Sequence, residues 1–119
     1  MTEIAIKAAY ASVVEDDEEG FLFVGFAEGE AEDEAYVLFR QPIGGGPVWF
    51  EVTDESFGAE DAIEQVTQDA RGLSIAIRPE MVAQIGWATH VRVRIGAECE
   101  SVDDALAALH DMLGVHFPS

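Results

Sequence analysis

Between Ile4 and Val14 the apolar side chains Ile4, Ile6, Ala8 and Tyr10 fall on every second residue, the period of a strand with one buried face. A charged turn from Glu15 to Gly20 separates this segment from Phe21-Leu22-Phe23-Val24-Gly25-Phe26. That run is apolar on both faces, which predicts a central strand covered on both sides. The acidic segment Glu28 to Glu34 leads to a third strand over Ala35 to Arg40, closed by the breakers Pro42-Ile43-Gly44-Gly45-Gly46-Pro47. Val48, Phe50 and Val52 then alternate with Trp49, Glu51 and Thr53, as in a half-buried fourth strand. Asp54 to Asp61 reads as a loop.

The second half repeats the two-residue period. Ala62 to Gln68 runs into Asp69-Ala70-Arg71-Gly72, an Asp-opened, Gly-closed turn, and the return strand points Leu73, Ile75 and Ile77 inward. Pro79 starts a short helix with an apolar edge of Met81, Val82 and Ile85, and Gly86 stops it. Val91, Val93 and Ile95 alternate with His90, Arg92 and Arg94, so one face of this strand is buried and the other basic. Ser101-Val102-Asp103-Asp104 resembles a capping box, with Asp104 in place of the usual Glu. Val102, Ala105, Leu106, Leu109, Met112 and Leu113 recur at helical spacing, and Gly114 sits where the helix ends. Many strands followed by a final helix predict an α+β fold: a mainly antiparallel sheet of six to seven strands, one short helix, and a C-terminal helix packed on one face. With 119 residues and neither repeat nor linker, residues 1–119 form one domain.

Composition supports a core and adds one strong bias. Hydrophobic residues make up 49% of the chain, enough to pack without disulfide or metal. Against 6 Lys and Arg stand 24 Asp and Glu, a formal net charge of −18. Such a surface repels nucleic acid and attracts basic proteins, although acidity alone also serves solubility. The acids Glu15, Asp16, Asp17, Glu18, Glu19, Glu28, Glu30, Glu32, Asp33 and Glu34 lie within 20 residues that hold no base, whereas Arg71, Arg78, Arg92 and Arg94 share a later stretch. Cys99 is the single cysteine, so no intramolecular disulfide forms, and the opening Met1-Thr2-Glu3-Ile4 has no signal-peptide pattern. The expected compartment is the cytoplasm. No apolar run reaches membrane-spanning length, so no membrane partner is expected.

Candidate chemistry is sparse. His90 belongs to a strand face, His110 to the final helix and His116 to the tail, and no Gly-x-Ser-x-Gly elbow accompanies them. Cys99 lies among acids, which disfavour a thiolate. Gly44-Gly45-Gly46 precedes a proline and a strand, not a helix N-terminus that would hold phosphate. The acidic clusters lack the spacing of a calcium loop, and the His spacing lacks a transition-metal signature. No catalytic residue, metal ligand or cofactor is therefore assigned. Surface recognition remains: Asp54, Glu55, Phe57, Glu60 and Asp61 combine acids with an aromatic, as interface anchors do, unless Phe57 folds into the core. Trp49 is a second candidate anchor, unless it packs beneath the terminal helix.

Tyr36-Val37-Leu38-Phe39-Arg40-Gln41, Val48-Trp49-Phe50-Glu51-Val52-Thr53-Asp54-Glu55-Ser56-Phe57-Gly58 and the hairpin through Asp69 and Leu73 to Ile77 follow one another in the order of a known family, as do the Pro79 to Gly86 helix and the closing strand and helix. Over residues 20–113 the chain resembles the immunity protein 10 family, small bacterial proteins that neutralise partner toxins of polymorphic toxin systems. Where such families carry a polar, Gly-rich segment after the fourth strand, this chain has Glu55 to Asp61 with a single glycine and extra acids. The resemblance implies a non-enzymatic inhibitor that covers a toxin's active site or a neighbouring surface. A nuclease toxin, being basic, would suit the acidity. The expected toxin-binding residues are then Glu28, Glu30, Glu32, Asp33 and Glu34, with Trp49 and the Asp54 to Asp61 group. Two other readings stay open: a small enzyme using Asp54, Glu55 and His90, and a self-associating domain such as a homodimer.

Overall fold

A computed structural model describes residues 3–29 and 34–117, apart from the side chains at 98, 100 and 115. Its strands are β1 (Glu3–Asp16), β2 (Phe21–Ala27), β3 (Tyr36–Pro42), β4 (Trp49–Val52), β5 (Asp54–Glu60), β6 (Ile63–Asp69), β7 (Gly72–Ile77) and β8 (His90–Glu100). The helix α1 (Val102–Leu113) follows, and two 3-10 helices span Pro79–Ile85 and Gly114–His116. The expected α+β class with a C-terminal helix holds, but the sheet has eight strands instead of six to seven.

The additional strand is β5, which composition assigned to a loop. Asp, Glu, Ser and Gly favour turns over strands, so propensity argued against it. Pairing with β4 overrides propensity: Trp49, Phe50 and Glu51 stand opposite Glu60, Ala59 and Gly58. Gly58 also leaves room for the Trp49 indole. A Cβ there would collide with the ring, lying 2.8 Å from Cε2.

Strand order is β5-β4-β3-β2-β1-β8-β7-β6. Every pair is antiparallel except β1 with β8, which run parallel. The long strand β1 divides its two edges between neighbours, Glu3 to Ala8 lying against β8 and Tyr10 to Asp16 against β2. The outermost strands β5 and β6 are consecutive in the chain and joined only by Asp61 and Ala62, so the sheet rolls until its two edges approach. Extents of 37 × 32 × 31 Å fit that rolled shape.

One face of the roll is the core. Ile6, Val24, Phe26, Val37, Phe39, Phe50, Val66, Ile75 and Val91 are fully buried, and the Phe39 and Phe50 rings meet at 5.0 Å. Helix α1 inserts Ala105, Leu109, Met112 and Leu113 against this face, over β1 and β2. Phe117 stacks on His110 at 3.7 Å, and the His116 Nδ1–H donates to the Glu64 carbonyl of edge strand β6. Burial of Leu109 or Phe39 contributes on the order of 2 kcal/mol by area alone.

Two local expectations are corrected, and the short helix is found where it was expected. Strand β2 is covered on its Val24 and Phe26 side only, and Phe21 and Phe23 remain partly exposed on the outer face. The helix at Pro79 has 3-10 geometry, Gly86 closing it at φ 62. Ser101 sits at φ 64 and makes no side-chain cap, because β8 runs into α1 without a loop in which a capping conformation could form. Among the described residues no helix is long and apolar enough to cross a membrane.

Candidate functional site

Strand β5 begins and ends at residues with unusual backbones. Thr53 has φ 65 and Asp61 has φ 56, both in the left-handed region that β-branched and other Cβ-bearing residues avoid. Asp54 holds the start of the strand: its Oδ1 accepts from the Ser56 amide at 2.8 Å. That bond, with one from the Ser56 hydroxyl, draws the Asp54 carboxyl below its ordinary value.

Phe57 is 48% exposed, so the choice between core and surface falls to the surface. Its ring lies on Gly86, where an added Cβ would stand 3.6 Å from Phe57 Cδ1. The next residue, Trp87, is 69% exposed at φ 66. Ile85 and Ala88 on either side of this turn are fully buried, so the turn is pinned while the indole stands free of the core. A cleft of about 460 Å³ opens beside it, lined by Pro79, Glu80, Val82, Ala83, Trp87 and His90 among others.

Thr53, Asp61 and Trp87 are three of the four non-glycine residues with positive φ among the described residues; two flank β5 and the third follows Gly86, on which Phe57 of β5 lies. Each such conformation costs on the order of 1 kcal/mol or more, and such strain gathers at binding and catalytic surfaces. Phe57 and Trp87 flank Gly86, and the strand that bears Phe57 also carries or borders the exposed acids Asp54, Glu55, Glu60 and Asp61, so this region can offer aromatic anchors to a partner while its charge draws basic groups.

The remaining expected residues are distributed differently. Trp49 is not a free anchor: it is half-buried on the outer face, opposite the face that α1 covers. Its Nε1–H donates to Glu51 at 2.8 Å, and the Arg40 guanidinium lies 5.1 Å from its ring. Glu28 accepts from the Lys7 amide at 2.8 Å, which ties its carboxylate to β1. Glu34 lies against Gly29. Glu30, Glu32 and Asp33 are outside the described residues. Of the residues Asp54, Glu55 and His90, His90 alone lines the cleft beside Trp87. Among the described residues no group of three or more His, Cys, Asp and Glu could hold a metal ion. Burial raises the Cys99 thiol above its ordinary value, away from a reactive thiolate.

Sequence reading missed Trp87. The signal was available: a large aromatic placed directly after a helix-stopping glycine has no periodic stripe to join. Comparison with protein-family models, with curated proteins and with solved structures finds no match to this chain.

Proposed function

We propose that this chain is a protein-binding inhibitor of the immunity type, and that it meets a basic toxin domain with the patch formed by β5 and the Gly86–Trp87 turn. The observation that carries this reading is that Trp87 and Phe57, both exposed, lie on either side of Gly86, with the exposed acids Asp54, Glu55, Glu60 and Asp61 on or next to the strand that bears Phe57. Rigid exposed aromatics lose little freedom on binding and anchor most of an interface's energy. The acidic rim accelerates encounter with a positive partner, which makes association faster in dilute salt. The resemblance to immunity proteins supplies the biological class. The net charge of −18 suits a nuclease toxin, whose own surface is positive.

The test begins with the tagged chain expressed in its native bacterium, followed by capture in dilute and in moderate salt. A captured toxin is then purified and its activity measured against increasing amounts of the chain. Stoichiometric loss of activity, abolished by Trp87→Ala together with Phe57→Ala in a protein that remains folded, supports the reading. A toxin that stays active in the presence of excess chain refutes it. Full inhibition by the double variant would move the interface to the acidic segment around Glu28 and Glu34.

A further inference from the structure

Four of the chain's six cations gather on one outward face of the sheet. Lys7 of β1 is the direct partner of Arg94 of β8, Arg92 lies two residues before Arg94, and Arg71 sits in the turn next to Gly72, which pairs with Arg94 from the other side. All four side chains are exposed. Like charges set directly opposite one another destabilise a sheet. The direct opposition of Lys7 and Arg94 is therefore a cost that a bound anion would relieve. Of the nearby acids, Asp69 lies within electrostatic reach of Arg71 and Arg92 and offsets part of this repulsion, while Lys7 and Arg94 still face one another directly. Glu28 accepts the Lys7 amide, and Asp69 Oδ1 accepts the amides of Arg71 at 2.7 Å and Gly72 at 3.1 Å.

A cleft lies beside these cations for a definite structural reason. β8 pairs with β1 as far as Ile95 opposite Ala8, then leaves it and returns only at Glu100 opposite Tyr10. One strand spends five residues where the other spends two, and irregularities of this kind re-aim side chains beside binding sites. The gap is a cleft of about 980 Å³, at the upper end of the range for small-molecule sites. Its floor is small and apolar, including Ala9, Ala70 and Ala97, with Tyr10 on the rim at 45% exposure. Lys7, Arg71 and Arg94 line it, and Arg71 and Arg94 also line an adjoining cleft of about 240 Å³ with Arg92.

We propose that this cleft binds a small phosphate-bearing anion. The guanidinium groups of Arg71, Arg92 and Arg94 present planar, paired donors that match phosphate oxygens, and Lys7 adds a point charge. The alanine floor and the Tyr10 ring accept an organic body attached to the phosphate. This site lies on β1, the turn between β6 and β7, and β8, away from β5 and Trp87, and does not depend on the immunity reading.

The test uses the whole chain, labelled with nitrogen-15, titrated separately with ADP, inorganic pyrophosphate and a polyglutamate peptide at matched ionic strength. We expect saturable amide shifts at residues 7–10, 70–72 and 92–97 with a phosphate probe. Arg94→Gln and Arg71→Gln should each weaken binding about tenfold, the loss of one charge-assisted contact. Arg40→Gln makes the same change in net charge elsewhere and should leave affinity unchanged. Tighter binding of ADP than of pyrophosphate places an organic body on the floor, and equal binding identifies the phosphate alone; both support the site. The proposal is overturned if neither phosphate probe saturates at millimolar concentration, if Arg40→Gln weakens binding as much as Arg94→Gln, or if polyglutamate binds more tightly than both.

Discussion

The two halves of the rolled sheet share one kind of inner face and differ on the outer one. On the half built from β2 to β5, the outward side chains engage one another. Arg40 lies 4.9 Å from the Phe21 ring and 5.1 Å from that of Trp49, while Glu51 is buried and accepts hydrogen bonds from both Trp49 Nε1 and the Tyr36 hydroxyl. On the half built from β7, β8 and the start of β1, the outward residues are Lys7, Arg92 and Arg94 set among Glu3, Ala5, Ser74, Ala76 and His90. The first half satisfies its own polar groups and becomes a second, smaller layer of structure. The second sets cation against cation at Lys7 and Arg94, with Asp69 answering Arg71 and Arg92. Burial of apolar residues therefore explains the inner face of both halves, whereas the outer face of each must be explained by which partners its polar groups find.

The largest expected effects come from one glycine in each half. Gly72 has φ 149, and a Cβ there would overlap the Val93 carbonyl oxygen and lie 3.0 Å from its carbon. Backbone cannot step aside without breaking the β7–β8 ladder, so Gly72→Ala should cost about 3 kcal/mol or more, read as a drop in urea midpoint at unchanged slope. A Cβ at Gly58 would instead meet the Trp49 ring and, at 2.9 Å, the Glu51 Cβ, and it would do so without a positive φ. The indole can tilt, at the loss of its bond to Glu51, so Gly58→Ala should cost about 2 kcal/mol. If Gly58→Ala proved the more damaging of the two, the outer layer of the aromatic half would be as rigid as backbone.

A smaller effect tests whether the aromatic half is held together by the Glu51 network. Burial, and then the bond to Glu51, raise the Tyr36 hydroxyl well above its ordinary value of 10.0. Below pH 10 the tyrosine is neutral in both folded and unfolded chains, and this contribution is fully present. Above pH 10 the unfolded chain ionises while the folded one resists, so stability falls as pH rises. Tyr36→Phe should therefore cost about 1 kcal/mol at neutral pH and also flatten the alkaline decline. Unfolding by urea at pH 7 and at about pH 11 measures both. Equal alkaline slopes in the two proteins would mean that Tyr36 is not the group responsible.

How much of this was legible depends on the physical origin of each feature. The inward sets Leu73, Ile75, Ile77 and Val91, Val93, and the basic outward pair Arg92 and Arg94, follow directly from the two-residue period and are found as read. Gly86 and Gly114 mark helix ends, as their position predicted. Strand β5 was illegible because its hydrogen bonds come from the free edge of β4, a tertiary offer that local propensity does not encode. The outer aromatics were misread for a related reason: an apolar β2 face can be covered by an element or by its own neighbours, and composition does not distinguish the two. The cation cluster needed the parallel β1–β8 pairing to bring Lys7 beside Arg94, a contact across 87 positions of the chain.

The smallest expected change in stability concerns Trp87, and its sign is the informative part. A tryptophan that is 69% exposed has little packing to lose, yet it is held at φ 66, where glycine rests without strain. Trp87→Gly should thus leave stability unchanged or raise it by up to about 1 kcal/mol, even though the glycine has more freedom to lose on folding. Residues kept at a cost to the fold are expected where a surface serves binding. If the variant is as stable as the parent and no longer captures its partner, the indole is retained for recognition. If instead it loses about 2 kcal/mol, the tryptophan supports the turn between Ile85 and Ala88, and the anchor role passes to Phe57 alone.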